Sequence, residues 1–104
     1  MSKQLSVTKW DQPGQPTEEA VKALMAKEGV QPYRWSNEPG DIYDAHTHDF
    51  HKIIYVIDGS ITFNLTDDGD SVTLQPGDRM DMAPGVVHQA VVGPDGVICL
   101  EGHK

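Results

Sequence analysis

From Gly29 onward the chain is punctuated at short, even intervals, and this constrains its fold more than any other feature. Turn signals stand at Glu38-Pro39-Gly40, Asp58-Gly59, Asp67-Asp68-Gly69, Pro76-Gly77-Asp78, Ala83-Pro84-Gly85 and Gly93-Pro94-Asp95-Gly96. The segments between them are too short for helices of ordinary length and read as strands. From Ser60 to Thr66 the apolar Ile61, Phe63 and Leu65 alternate with polar neighbours, the period of a half-buried strand. Asp58-Gly59 has the composition of a two-residue hairpin turn. Short strands at this spacing, with no helices between them, predict an all-β antiparallel sandwich or barrel.

The 104 residues suit one domain. Residues 1–16 are polar, carry Pro13 and Pro16, and read as an N-terminal arm, with residues 17–104 as the barrel domain. Ala20, Val21, Leu24 and Met25 recur at helical spacing and predict one short helix over about 17–28, stopped by Gly29; the barrel should then run over about 30–102. Ile53 to Ile57 is the longest apolar run, too short for a membrane span or a signal-peptide core. It is apolar on both faces: Ile54 and Val56 share one, while Ile53, Tyr55 and Ile57 share the other. The second face requires a cover, either the arm and helix or a second subunit, and a homodimer is expected there.

Charge and cysteine content narrow the partners. A net charge of −8 repels nucleic acid and anionic membrane surfaces, so neither is expected as a partner. The single cysteine, Cys99, has no intramolecular partner for a disulfide, which points to a reducing, cytoplasmic setting. The Asn64-Leu65-Thr66 sequon is then accidental.

Among the five histidines, three fall within His46-Thr47-His48-Asp49-Phe50-His51. In a strand, residues two apart share a face, so His46 and His48 can aim both imidazoles at one point. Neutral imidazole is a ligand for Fe, Mn, Zn, Ni and Cu. His51 is off the parity of that pair and reads as a solvent-facing turn residue, and His103 in the tail is given no role.

The spacing around these residues resembles the cupin superfamily. Gly40, five residues, His46, one residue, His48, three residues, Lys52, six residues and Gly59 is similar to the first cupin motif, with Lys52 where a glutamate is usual. Gly77, five residues, Ala83-Pro84-Gly85, two residues and His88 resembles the second motif, with Ala83 and Pro84 exchanged and Val92 in place of a later asparagine. The resemblance, to a small single-domain cupin of the cupin-2 type, implies a jelly-roll β-barrel. It also implies one divalent transition metal held at the barrel mouth by His46, His48 and His88.

Lys52 is the departure that matters. A divalent ion about 5 Å from an ammonium would be repelled by roughly 7 kcal/mol at an effective dielectric near 20. Three arrangements avoid this: a neutral lysine that ligates, a lysine that snorkels outward to Asp49 or Glu101, or a site without metal; the second is expected. A buried lysine of low pKa could also act as a base or form a Schiff base, which makes Lys52 a candidate catalytic group. Tyr55 and Glu101 are further candidates, with Tyr43 and Asp44 behind them.

Strand parity sends Val86, Ala90 and Val92 inward with His88, and Met80 and Met82 inward on the preceding strand. The expected pocket is therefore apolar, lined by Ile54, Val56, Phe63, Met80, Met82 and Ala90, with the histidines as its polar chemistry. The leading expectation is a metal-binding cupin acting on a small polar or acidic organic molecule, with oxygenase-type or isomerase-type chemistry. The alternative is a noncatalytic ligand-binding or sensor cupin with a degenerate, metal-free site, in which Lys52 holds a carboxylate.

Overall fold

A computed structural model describes residues 5–65 and 69–104. Among the described residues the elements run β1 (Leu5–Thr8), α1 (Glu18–Lys27), β2 (Tyr33–Asn37), β3 (Ile42–His46), β4 (Lys52–Leu65), β5 (Ser71–Leu74), β6 (Arg79–Met82) and β7 (His88–His103). All pairings are antiparallel: β1-β6-β4-β7-β2 form the path, with β3 also on β7 and β5 also on β4. The result is the expected cupin jelly-roll β-barrel with one short helix.

The two long strands β4 and β7 pair from Lys52↔His103 to Leu65↔His88, with register shifts between Val56 and Asp58 and between Gly59 and Ile61. Asp58-Gly59 therefore does not close a hairpin. It is a bulge inside β4, and the turn expected at Gly93-Pro94-Asp95-Gly96 likewise lies inside β7. The local chemistry of a turn and of a bulge is the same, a glycine at positive φ, here +75° at Gly59. What differs is the partner: a Cβ on Gly59 would lie 2.0 Å from the Gly96 carbonyl oxygen, so the two strands approach at backbone contact. The Asp67-Asp68-Gly69 turn falls largely outside the described residues.

Period-two patterning separates two cores. Ile54, Val56, Ile61, Phe63, Leu65, Met80, Met82, Ala90 and Val92 pack inside the barrel. Ile53, Tyr55 and Leu100 face outward and are covered by Val21, Met25 and Val30, with Trp10 and Ile57 alongside. The outer face that suggested a homodimer is thus covered from within the chain by α1. Thr17 caps that helix by accepting from Ala20 N at 3.2 Å, and Gly29, at φ +73°, ends it while Val30 N donates to Met25 O at 3.0 Å.

The N-terminal segment is less free than its composition suggested. Residues 5–8 form a strand on β6, with Leu5 only 4% exposed inside the barrel core. Four residues are too few for a period to show in the sequence, and edge pairing with β6 supplies the order that propensity does not.

Arg79 ties the helix end to the sheet. Its guanidinium donates to Glu28 Oε1 at 3.0 Å and to Asp81 Oδ2 at 2.8 Å, and lies over the Tyr55 ring at 5.6 Å. The Arg79 hydrogen bond lowers the Glu28 pKa below its ordinary 4.5. At Asp81 burial raises the pKa, but Arg79 and His51 outweigh it and the net shift is down.

Two outcomes are expected. Gly59→Ala should lower stability by about 2 kcal/mol or more, seen as a fall in Tm of about 10 °C, because the added methyl forces β4 off β7; an unchanged Tm would contradict the close approach. Both carboxyls titrate lower in the folded state, so their contribution is present above about pH 4.5 and is lost as pH falls through the depressed folded values. Arg79→Met should remove that contribution, costing about 2 kcal/mol at pH 7 and flattening the acid limb of a urea-denaturation series.

Candidate metal centre

The three histidines of the two motifs meet. His46 is the last residue of β3, His88 the first of β7, and the two are register partners. His48 lies beyond the end of β3, so the strand parity that first paired it with His46 does not hold it; instead Gly85 N donates to the His48 carbonyl at 2.8 Å and pins the loop to the Ala83–Gly85 turn. Ring centroids stand 4.8 Å apart for His46 and His48, 4.4 Å for His46 and His88, and 5.3 Å for His48 and His88. One ring nitrogen from each falls within 4.8 Å of the others.

Two of the rings are oriented by backbone carbonyls. His88 Nδ1 donates to Val86 O at 2.9 Å and His46 Nδ1 donates to Asp44 O at 2.7 Å. Since a carbonyl only accepts, each ring carries a proton on Nδ1, which leaves Nε2 as the ligand atom of the neutral ring. Burial holds the His88 and His48 pKa values below the ordinary 6.5, helped by the neighbouring Lys52. Both rings are thereby kept in the neutral form that a metal requires.

Lys52 does not snorkel out. It begins β4 with its side chain inward, 8% exposed, and its Nζ lies 2.9 Å from His48 Nε2 and 3.7 Å from Glu101 Oε2. Glu101 is the partner the sequence suggested, but the pair is buried, because Lys52 and Glu101 lie on the inner face of the adjacent strands β4 and β7. Burial lowers the Lys52 pKa from its ordinary 10.5, and Glu101 opposes this. Glu101 is held in turn by Tyr33 Oη, by Trp35 Nε1 at 3.0 Å and by His103 Nε2 at 3.1 Å. With every oxygen engaged, Glu101 is a fixed counterion for Lys52.

The cavity beside this cluster measures about 60 Å³ and is lined by Trp35, Tyr43, His46, Lys52, Ile61, Phe63, His88 and Ala90. Phe63 and Ala90 line it as expected. Ile54, Val56, Met80 and Met82 do not: they are buried in the barrel core. Trp35 and Ile61 were not foreseen, the isolated tryptophan on β2 carrying no motif, whereas Tyr43, one of the further candidates, lines the cavity from β3. Tyr55 lies on the outer face, 6% exposed against α1, so it is removed from the site. Asp44 contributes its carbonyl rather than its exposed carboxylate.

The two histidines given no site role are both engaged. His51 Nε2 contacts Asp81 Oδ1 at 2.9 Å, bridging the loop to β6 instead of facing only solvent. His103 ends β7, stacks on Phe50 at 3.8 Å between ring centroids and bonds Glu101. Its position next to the site follows from its pairing with Lys52 across the ladder, which spacing in the sequence does not reveal.

On a larger open basin of about 620 Å³ lie Thr47, His48, Asp49, Phe50, Pro84 and Gly85. His48 lines this basin while His46 and His88 line the inner cavity, so the imidazole cluster forms the boundary between the two.

Among solved structures, a DUF861 family protein from Thermotoga maritima aligns over 96% of this chain and 99% of its own, with TM-score 0.66 and 17% identity. An RmlC-like cupin from Shewanella frigidimarina aligns over 71% of this chain and 64% of its own, with TM-score 0.61 and 27% identity. A chain from the crystal structures of the DMSP lyases RdDddP and RnDddQII aligns over 72% of this chain and 37% of its own, with TM-score 0.60 and 23% identity. No curated protein matches the chain. The Cupin_2 profile, a cupin domain, matches residues 33–100, which include both histidine motifs and the cavity, and the chain therefore belongs to the Cupin_2 family.

Proposed function

We propose that this cupin binds one divalent transition metal through His46, His48 and His88 and acts on a small polar or acidic organic molecule. The observation that carries the reading is the arrangement of the imidazoles: Nδ1 of His46 and His88 is spent on a backbone carbonyl, which leaves Nε2 as the ligand atom beside His48. Neutral, oriented imidazoles are the donor set of Fe, Mn, Zn, Ni or Cu, so the residues fit the group. Bound there, such an ion supplies a Lewis acid or oxygen-binding centre of the kind oxygenase-type or isomerase-type chemistry uses.

The residues around the ligands have separate tasks. Lys52 presents a cation to an anionic or carbonyl group entering the inner cavity, and Glu101 balances that charge. Phe63, Ile61 and Ala90 keep water from the inner side of the cluster. The second reading, a metal-free ligand-binding cupin, has one observation in its favour: Lys52 Nζ engages the His48 Nε2 lone pair that a metal would need.

Two measurements decide between these readings. Protein purified without a metal-affinity tag is expected to carry about one transition-metal ion per chain by elemental analysis, and joint replacement of His46 and His48 by alanine should abolish it with the far-UV circular dichroism unchanged; full occupancy in the double variant would refute the ligand assignment. Lys52→Glu should raise metal affinity at least about tenfold, roughly 1.4 kcal/mol, in a chelator competition at fixed pH, since it removes a repelling ammonium and adds a carboxylate. A native protein that takes up no metal, beside a Lys52→Glu variant that does, would establish the second reading.

A further inference from the structure

The two cavities at the imidazole cluster differ in size, exposure and chemistry, and together they define the shape of a ligand. The inner one, about 60 Å³, equals roughly two waters of liquid volume, enough for a carboxylate and little more. It contains a single cationic group, Lys52, whose ammonium has three N–H donors. His48 Nε2 lies 2.9 Å and Glu101 Oε2 3.7 Å from it, and Lys52 itself lines the cavity. The outer basin, about 620 Å³, is open and offers the Phe50 ring and Pro84. Phe50 is held in place, stacked on His103 and 4.9 Å from the His48 ring.

We infer that this site takes a small carboxylic acid with an apolar tail, its carboxylate anchored by Lys52 in the inner cavity and its tail lying on Phe50 and Pro84 in the outer basin. The atoms next to the carboxylate then sit against His46, His48 and His88, which border the two spaces. This deepens the proposed function and rests on it for where the reacting atoms lie, but the anchoring itself needs no metal. An amide or alcohol of the same shape would offer Lys52 only a neutral acceptor, and a charged acceptor makes a hydrogen bond about twice as strong. Lys52 is thus the residue that sets head-group preference, and Phe50 the one that sets tail preference.

The test is isothermal titration with phenylacetate, phenylacetamide and acetate, on chelator-treated protein and on protein loaded with Zn²⁺. Phenylacetate is expected to bind at least about tenfold more tightly than either of the others in both forms. Lys52→Met, close in volume, should bring phenylacetate down to the amide, and Phe50→Ala should bring it down toward acetate while the preference for carboxylate over amide persists. Should Lys52→Met fail to fold by circular dichroism, the phenylacetate to phenylacetamide ratio in the native sequence and in Lys52→Gln decides. Equal binding of acid and amide in the chelated protein overturns the inference, as does a preference present only with Zn²⁺, which would place the head on the ion. A preference that holds in chelated protein that takes up no metal at all supports the carboxylate site and refutes the metal reading alone.

Discussion

The β4–β7 ladder is the constraint on which the rest of the molecule depends. Lys52 pairs with His103 at one end and Leu65 with His88 at the other, so on a flat sheet Lys52 and His88 would be far apart. Both nevertheless line one cavity of about 60 Å³, so the ladder must bend between them, and its register shifts fall between Val56 and Asp58 and between Gly59 and Ile61. Glycine permits this: at Gly59 a side chain would meet the Gly96 carbonyl, and at Gly93 it would meet the Ser60 hydroxyl. Along β4, Lys52 at its start and Ile61 and Phe63 beyond the bulge line the site, while the residues from Ile53 to Val56 pack the barrel floor and the outer face.

The site balances two positive demands within a few ångströms. Three imidazoles collect at a point suited to a cation, and an ammonium lies 2.9 Å from one of them. Glu101 makes the arrangement tenable, since a buried ammonium without a counterion would carry a large desolvation cost. That carboxylate is itself fixed by Tyr33, Trp35 and His103, from β2 and the end of β7. The charge order of the site is therefore inverted relative to the resemblance: cation on β4, carboxylate on β7.

The helix shows how the same sheet serves a different end on its outer face. Ile53 and Tyr55 alternate with Ile54 and Val56, and each set has its own cover, α1 outside and β1, β6 and the rest of the barrel inside. Arg79 bridges the cover to the sheet through Glu28 and Asp81. Lys104, the residue after β7, donates from Nζ to Oε1 of Glu28, the residue that caps α1, at 3.2 Å, which links the end of β7 that carries Glu101 and His103 to the end of the helix. Packing on the outer face thus steadies the residues that fix Lys52 on the inner one.

Alternation along Ser60–Leu65, the turn residues, the helix over Thr17–Gly29 and the spacing of His46, His48, Lys52 and His88 sufficed for the barrel, its helix and the histidine cluster. These are local patterns, and each reports a period or a backbone requirement that neighbours in the chain fully express. The fate of Asp58-Gly59 was not of this kind, since a glycine at positive φ serves a turn or a bulge equally and only the strand lying against it decides. For the same reason Trp35 and His103 were invisible as site residues, Tyr55 was placed in the site though it lies on the outer face, and Ile54, Val56, Met80 and Met82 were assigned to the pocket instead of the core floor. Period and spacing along the chain determined which residues face inward and which histidines share a site. The bent ladder alone decided which inward residues meet at the cavity and that Glu101 would hold Lys52 there, because both are contacts between strands distant in sequence.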